Sequence, residues 1–327
     1  MKTADGLAWE ARSEVLDFQL GRITLGRVAF RALVLLSNPF AINCKIKIPL
    51  KEAIDDSCRA VVIHAVPINK ELIAIRFKNG GLRYTSRYYQ RYVVELNGSF
   101  TEYLARFSKK SRYNLRRMAK KFIEAGDGIW SLERYTTASE ITAFREIAIA
   151  ISQQSYKREV GWGFEEGESY ARQLELDAGA GRVRGYVLTC AGEPAAYCFC
   201  RIDHDVIIYK HIGYSTKFAR LSPGNVLLYM VLEQLFDEGK FRILDFDGTD
   251  YFAYKEFFAT RAIPCGRVVW FRLTPRNLAL SFGHWIMTAA WRLAAELHGS
   301  ARRKRGDWLS ARNLAGSPRQ TQSLELR

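Results

Sequence analysis

The chain has 327 residues, a net charge of +15, 48% hydrophobic and 25% charged residues. These values fit a globular chain long enough for two domains, and exclude a disordered or collagenous one. No run reaches the ~20 apolar residues of a membrane span, and the opening MKTADGLAWEARSEVLDF lacks the apolar stretch of a signal peptide.

The first hundred residues carry short apolar runs at Val28–Leu36, Ile46–Leu50, Ala60–Val66, Leu72–Phe77 and Tyr92–Leu96. Runs of this length and type predict strands, and Asn79-Gly80 predicts a tight hairpin turn. Nothing in this part reads as catalytic. From Phe100 to Ala125, Leu104, Phe107, Ser111, Leu115, Met118 and Phe122 recur at three- and four-residue steps, the apolar face of a helix. Ser108 is placed to cap a fresh turn within it, and Gly126 to stop it. Eight Lys/Arg here face only Glu102 and Glu124. The segment is either a solvated basic face or an anion-binding one.

Ile141–Gln153 and Tyr170–Asp177 predict further helices, joined through Ser155-Tyr156-Lys157 and Gly161-Trp162-Gly163. From residue 183 the expected order is β-β-β-α-β-α-β. Its central helix runs from Pro223 to Glu238 behind Ser222, with Gly239 at its end. Ile243–Phe246 predicts a strand, Phe252–Phe258 a short helix and Arg267–Leu273 a closing strand. Leu278–Leu297 reads as one Trp- and Ala-rich helix. Residues 299–327 carry seven Lys/Arg against Asp307 and Glu325, and 301–327 reads as a basic disordered tail. The six Cys show no CxxC spacing and lie among apolar residues, which points to reduced structural thiols in the cytoplasm, with no metal.

The strand order, Leu221-Ser222-Pro223-Gly224 before the central helix, Asp245-Phe246 with Gly248, and Tyr254-Lys255 resemble the GNAT acyltransferases. More specifically, the chain resembles the group related to the bacterial cellulose-biosynthesis acetyltransferase CelD, itself related to Fem-type aminoacyltransferases. Ser108–Arg116, Ser155-Tyr156-Lys157 and Gly192–Tyr197 resemble further elements of that group. The likeness spans roughly 90–275. It implies an α+β fold of layered α/β type: a GNAT fold of two GNAT-like halves, the first degenerate, plus a C-terminal helix. The implied divisions are a degenerate N-terminal half (1–100), a helical connection with the basic helix (101–180), the GNAT core (181–275), a C-terminal helix (276–300) and a basic tail (301–327). Where such loops usually carry two glycines, this one has Gly224 followed by Asn225.

A helix N-terminus presents amide donors and partial positive charge to a pyrophosphate. Arg220, Leu221, Ser222, Gly224 and Asn225 are therefore the candidate contacts for acetyl-CoA or another acyl-CoA; an ordinary capped helix is the plain alternative. Acyl transfer needs a base, a polarised carbonyl and an acid for the leaving thiolate. His211, Asp247 and Asp250 are candidate bases and Tyr254 or Tyr251 the acid, with backbone amides near Gly213 polarising the carbonyl. Asp245 and Asp247 alternate with Phe246, and mutual repulsion would raise one carboxyl pKa. The plain alternatives are that Asp245 pairs with Lys255 as a structural ion pair and that His211 is a hydrogen-bonded core or rim histidine. Lys255, Tyr156, Lys157, Arg112 and Arg116 are candidate substrate contacts.

The expected acceptor is a small molecule or glycan, an amine or hydroxyl on a sugar or cell-envelope precursor. An aminoacyl-tRNA donor is the variant reading. A non-catalytic binder of nucleic acid or membrane is the competitor; the aromatics of the central stretch form no stacking platform beside Lys/Arg, which weighs against nucleic acid. The C-terminal helix and the basic tail allow peripheral contact with the inner membrane face.

Overall fold

The computed structural model describes residues 7–20, 23–42, 46, 48–49, 58–68, 74–78, 80–154, 163–248, 252–291 and 293–294. Strands β1 (Trp9–Leu20), β2 (Ile23–Leu35), β3 (Ala60–Pro67), β4 (Ile75–Lys78) and β5 (Gly81–Glu95) come first. Helices α1 (Phe100–Ala105) and α2 (Lys109–Ala125) follow, then β6 (Trp130–Tyr135), α3 (Ala138–Gln153) and α4 (Glu168–Gly179). The last part contains β7 (Val183–Cys190), β8 (Glu193–Asp203), β9 (Val206–Tyr214), α5 (Pro223–Glu238), β10 (Ile243–Asp245), α6 (Ala253–Phe258) and β11 (Arg261–Arg272). A closing helix, α7, covers 275–291.

Among the described residues all eleven strands form one sheet, in the order β1-β2-β3-β11-β5-β10-β9-β8-β7-β6, with β4 hairpinned onto β5. The architecture is the expected layered α+β fold, and the order from residue 183 is the predicted one. The join between the two ends of the chain was not foreseen. β11 lies between β3 and β5, and β5 separates it from β10. The closing strand thus pairs with strands from the first hundred residues along its whole length.

Two strands escaped the sequence reading. β1 intersperses charged residues among Trp9 and Leu16, both buried, so it carries no apolar run to mark it as a strand. β6 is a short edge strand whose alternation is too brief to register. The stretch from Phe100 to Ala125 is two helices: Ser108 accepts the Ser111 amide at 3.1 Å and starts α2 afresh.

The sheet is covered on both faces around β7–β10. On one face α5 is apolar almost all round, burying Val226, Leu227, Leu228, Val231, Leu232 and Leu235 between the sheet and helices α1 and α2. Each such side chain contributes about 1.5–3 kcal/mol. On the other face Phe144 and Ile151 of α3, Leu174 of α4 and Phe164 between the two helices pack onto Tyr197 and Phe199. Cys198 and Cys200 share the α5 face, their sulfurs 4.0 Å apart.

Close packing makes one glycine indispensable. A Cβ on Gly213 would overlap the Tyr197 ring, whose hydroxyl is held by Ser152 at 2.7 Å. Gly213→Ala is expected to cost about 1–3 kcal/mol, read as a lower midpoint in urea; an unchanged midpoint would show that the ring moves aside freely.

Candidate active site

The site forms where two neighbouring parallel strands part. β10 pairs with β9 only from Ile243 opposite Val206 to Asp245 opposite Ile208. Beyond that point β9 runs on as Tyr209–Tyr214 while the other chain turns away. Its edge there borders a cavity of about 650 Å³. A bulge at Lys210, between the Cys200–Tyr209 and Phe199–His211 pairs, bends the strand at the same place.

The N-terminus of α5 forms one end of the cavity, through Ser222, Pro223, Gly224 and Asn225. Ser222 takes a left-handed conformation (φ 52°) and makes no side-chain cap. Its carbonyl receives the Asn225 and Val226 amides at 3.0 and 3.2 Å. A Cβ on Gly224 would find only Tyr214 Cδ1, at 3.9 Å, so the glycine leaves open space in front of the helix end. This shape and polarity suit a phosphate group. Leu221 is half-buried on the core and Arg220 is exposed on the preceding 3-10 turn; neither lines the cavity.

Tyr209, Ile212, Phe246 and Tyr254 line the middle. Tyr254 packs edge-on to Phe246, ring centroids 6.1 Å apart, and burial pushes its phenol up, so it is protonated at neutral pH. His211 emerges on the opposite face of the sheet, its ring 5.6 Å from Phe164 and 6.2 Å from Phe199. It is half-buried at the rim, so the cavity reaches both faces of β9.

The two aspartates correct the sequence reading. Asp245 does not pair with Lys255. It is fully buried and takes a bidentate bond from Arg91 (2.8 and 2.7 Å), with further bonds from Asn38 Nδ2 (2.8 Å) and the Asp247 amide (3.0 Å). Arg91 also meets Asp247 at 2.7 Å, and Lys210 pairs with the other Asp247 oxygen. Repulsion between the carboxylates is thus cancelled by cations. Burial alone would raise the Asp247 pKa, but the Arg91 and Lys210 charges outweigh it and hold the carboxyl well below the usual range. The elevated pKa expected of a base is not found there. Lys255 is buried and donates to the Asp247 backbone carbonyl at 2.8 Å, bracing the turn in which Asp247 and Gly248 both have positive φ.

Arg112 donates to the carbonyls of Ala105 and Phe107, and Arg116 bonds Tyr229 on α5; both serve the helix junction rather than the cavity. Asp250, Tyr251, Tyr156 and Lys157 lie outside the described residues. Arg91, Asn38 and Lys210 were missed. The signal for Arg91 was a lone charge in the strand run Tyr88–Val94, and for Lys210 a lone charge within Val206–Ile212.

A parted pair of parallel strands, a helix N-terminus at one end and a half-buried tyrosine beside the gap agree with the GNAT fold expected from the sequence. Residues 109–256 match the family model described as an acetyltransferase (GNAT) domain, and this match supports an acyltransferase. Among solved structures, a C-terminal domain from Agrobacterium fabrum assigned to a lysylphosphatidylglycerol synthetase is similar, with 12% identity, TM-score 0.50, and coverage of 88% of this chain and 92% of that one. FemX is similar over 84% of this chain and 90% of its own, with 11% identity and TM-score 0.50. At these identities the likeness is one of fold. No curated protein sequence matches the chain significantly.

Proposed function

We propose that the protein moves an acyl group, acetyl in the simplest case, from acyl-CoA to an amine or hydroxyl of a sugar or cell-envelope precursor by direct transfer. The observation that carries this reading is the single cavity running from the N-terminus of α5, along the edge of β9, to Tyr254. The helix end takes the pyrophosphate, and Arg220 adds charge from outside. The acyl group lies in the gap past the end of β10. The acceptor approaches from the face of His211, which takes its proton. The acceptor heteroatom bonds to the carbonyl carbon, the C–S bond breaks, and the leaving thiolate receives a proton from Tyr254. Asp247, with Lys210 and Lys255, shapes the acceptor end as a fixed charge group. On this reading the first hundred residues act as a reduced GNAT-like half that supplies Arg91. The CelD-like likeness supports a polysaccharide or envelope acceptor and work at the cytoplasmic face.

A second reading, an aminoacyl-tRNA donor, draws on α2. Its exposed Lys109, Lys110, Arg117 and Lys121 sit on the helix that packs against α5. Calorimetric titration with acetyl-CoA, desulfo-CoA and bulk tRNA separates the two. Saturation by both CoA forms supports the first; no CoA saturation at millimolar levels sinks it.

The phosphate end has its own test. Gly224→Asp puts a carboxylate in front of the helix end and is expected to weaken CoA binding by about tenfold or more, whereas Gly224→Ala folds normally because the position is open. Equal CoA affinity for wild type and the Asp variant would remove this loop from the donor site.

A further inference from the structure

The helix α7 is attached by one side only. Leu278 and Leu280 pack on the cluster of Phe30, Val269 and Phe271. Asn277 bonds the Arg272 carbonyl at 3.0 Å and takes a bond from Arg59 at 2.8 Å. His284 is buried against Phe18, bonded to the Tyr84 hydroxyl and placed 3.1 Å from the Asp17 carbonyl. All polar anchoring lies on this inner side.

The outer side is apolar where a surface helix should be polar. Phe282, Trp285, Ile286, Trp291 and Leu293 face outward, with Ile286 58% and Leu293 60% exposed. Between Arg276 and Arg292 the sequence contains no Asp, Glu, Lys or Arg. The strand that His284 sits on ends in more of the same kind: two residues past Phe18 comes Leu20, and Ile23 and Leu25 follow on β2, all exposed. Exposed apolar groups gathered this way mark an interaction surface rather than chance exposure.

We infer that this outer face of α7 docks on an anionic lipid membrane. Two tryptophans on the exposed side have the amphipathic character favoured at the headgroup level. Arg276 and Arg292 bracket the apolar stretch, and the chain continues into Arg302-Arg303-Lys304-Arg305. An apolar face whose flanking sequence is basic complements an anionic bilayer, where each basic residue near the surface adds attraction. A second copy of the chain would bring the same arginines together, on two molecules each carrying +15, which opposes self-association through this face. No described helix is long and apolar enough to cross a bilayer, so the contact is parallel to the surface. The inference is independent of the proposed reaction, because vesicle binding is read without turnover.

The test is co-sedimentation of the full chain with phosphatidylcholine vesicles, with and without phosphatidylglycerol. Binding is expected to the vesicles that contain phosphatidylglycerol and to fall sharply on those that lack it. The double variant Trp285→Glu, Ile286→Glu should partition about a hundredfold more weakly, with an unchanged circular dichroism spectrum. Ile129→Glu, at an exposed apolar position away from α7, should bind as wild type. Absence of binding to anionic vesicles, equal binding to both vesicle types, or full binding by the double variant would overturn the proposal. So would light scattering that finds a dimer which the double variant dissociates.

Discussion

Tyr254→Phe is expected to lower kcat by about 10²–10⁴-fold, the usual contribution of a positioned proton donor. The KM for acyl-CoA should change little, because the contacts proposed for the donor's phosphates, Gly224 and Asn225, lie at the other end of the cavity. The substitution removes one oxygen and keeps the ring, which packs between Phe246 and Phe252 at centroid distances of 6.1 and 6.0 Å. Stability is therefore a poor explanation for a loss of that size. Burial keeps the phenol protonated across the working range, so the wild-type rate should not fall on the alkaline side through this group before about pH 10. A variant with wild-type kcat would discard Tyr254 as the acid. A variant that loses affinity and rate together would move it to the donor-binding surface.

Arg91→Ala should be the most damaging single change to stability. It leaves Asp245 buried without its cation and strips one of two cations from Asp247. Breaking a buried pair from one side costs about 3–5 kcal/mol. Arg91→Lys should recover only part, since one ammonium cannot reproduce two bonds to Asp245 while reaching Asp247. The pH dependence follows from the direction of the Asp247 shift. Its folded pKa is depressed, so its pairing contributes fully above the ordinary carboxylate value near 3.9 and is lost as pH falls through the lower folded value. The deficit of Arg91→Ala should thus be largest at neutral pH and shrink below about pH 4. A deficit that stays constant from pH 7 to pH 3 in urea unfolding would mean that the loss does not come from pairing with the ionised Asp247 carboxylate. Activity should fall as well, because the turn of Asp247 and Gly248 borders the cavity mouth.

Much of this protein is local and was legible in the chain. Pro223–Glu238 was readable to the residue because Pro and Gly bracket a continuous apolar run, and start and stop signals act over a few positions. Ser108 declared a helix start by its own hydrogen bond. The likeness to GNAT enzymes also rested on short stretches in a fixed order, and those stretches fall inside the matched domain. Tyr254, His211, Ser222, Gly224 and Asn225 do meet in one cavity because the strand–helix–strand unit that carries them is contiguous.

What the chain could not reveal was who pairs with whom across long separations. Asp245 was assigned a neighbour ten residues away, yet its partner, Arg91, lies 154 residues away in a strand read as inert scaffold. Strand pairing brought them together: β5 lies beside β10, and nothing in either strand's composition names the other. The same pairing reversed the electrostatics of Asp247, since two carboxylates that repel in the sequence share one guanidinium in the fold. β11 passing between β3 and β5 is likewise a choice among sheet orders that period-two patterning leaves equivalent. Sequence alone determined most of the secondary elements and the family likeness, because those depend on neighbours within a few positions. Only the tertiary structure decided which carboxylate is neutralised, how both ends of the chain share one sheet, and that α7 turns an apolar face outward, because these depend on contacts between residues far apart in the chain.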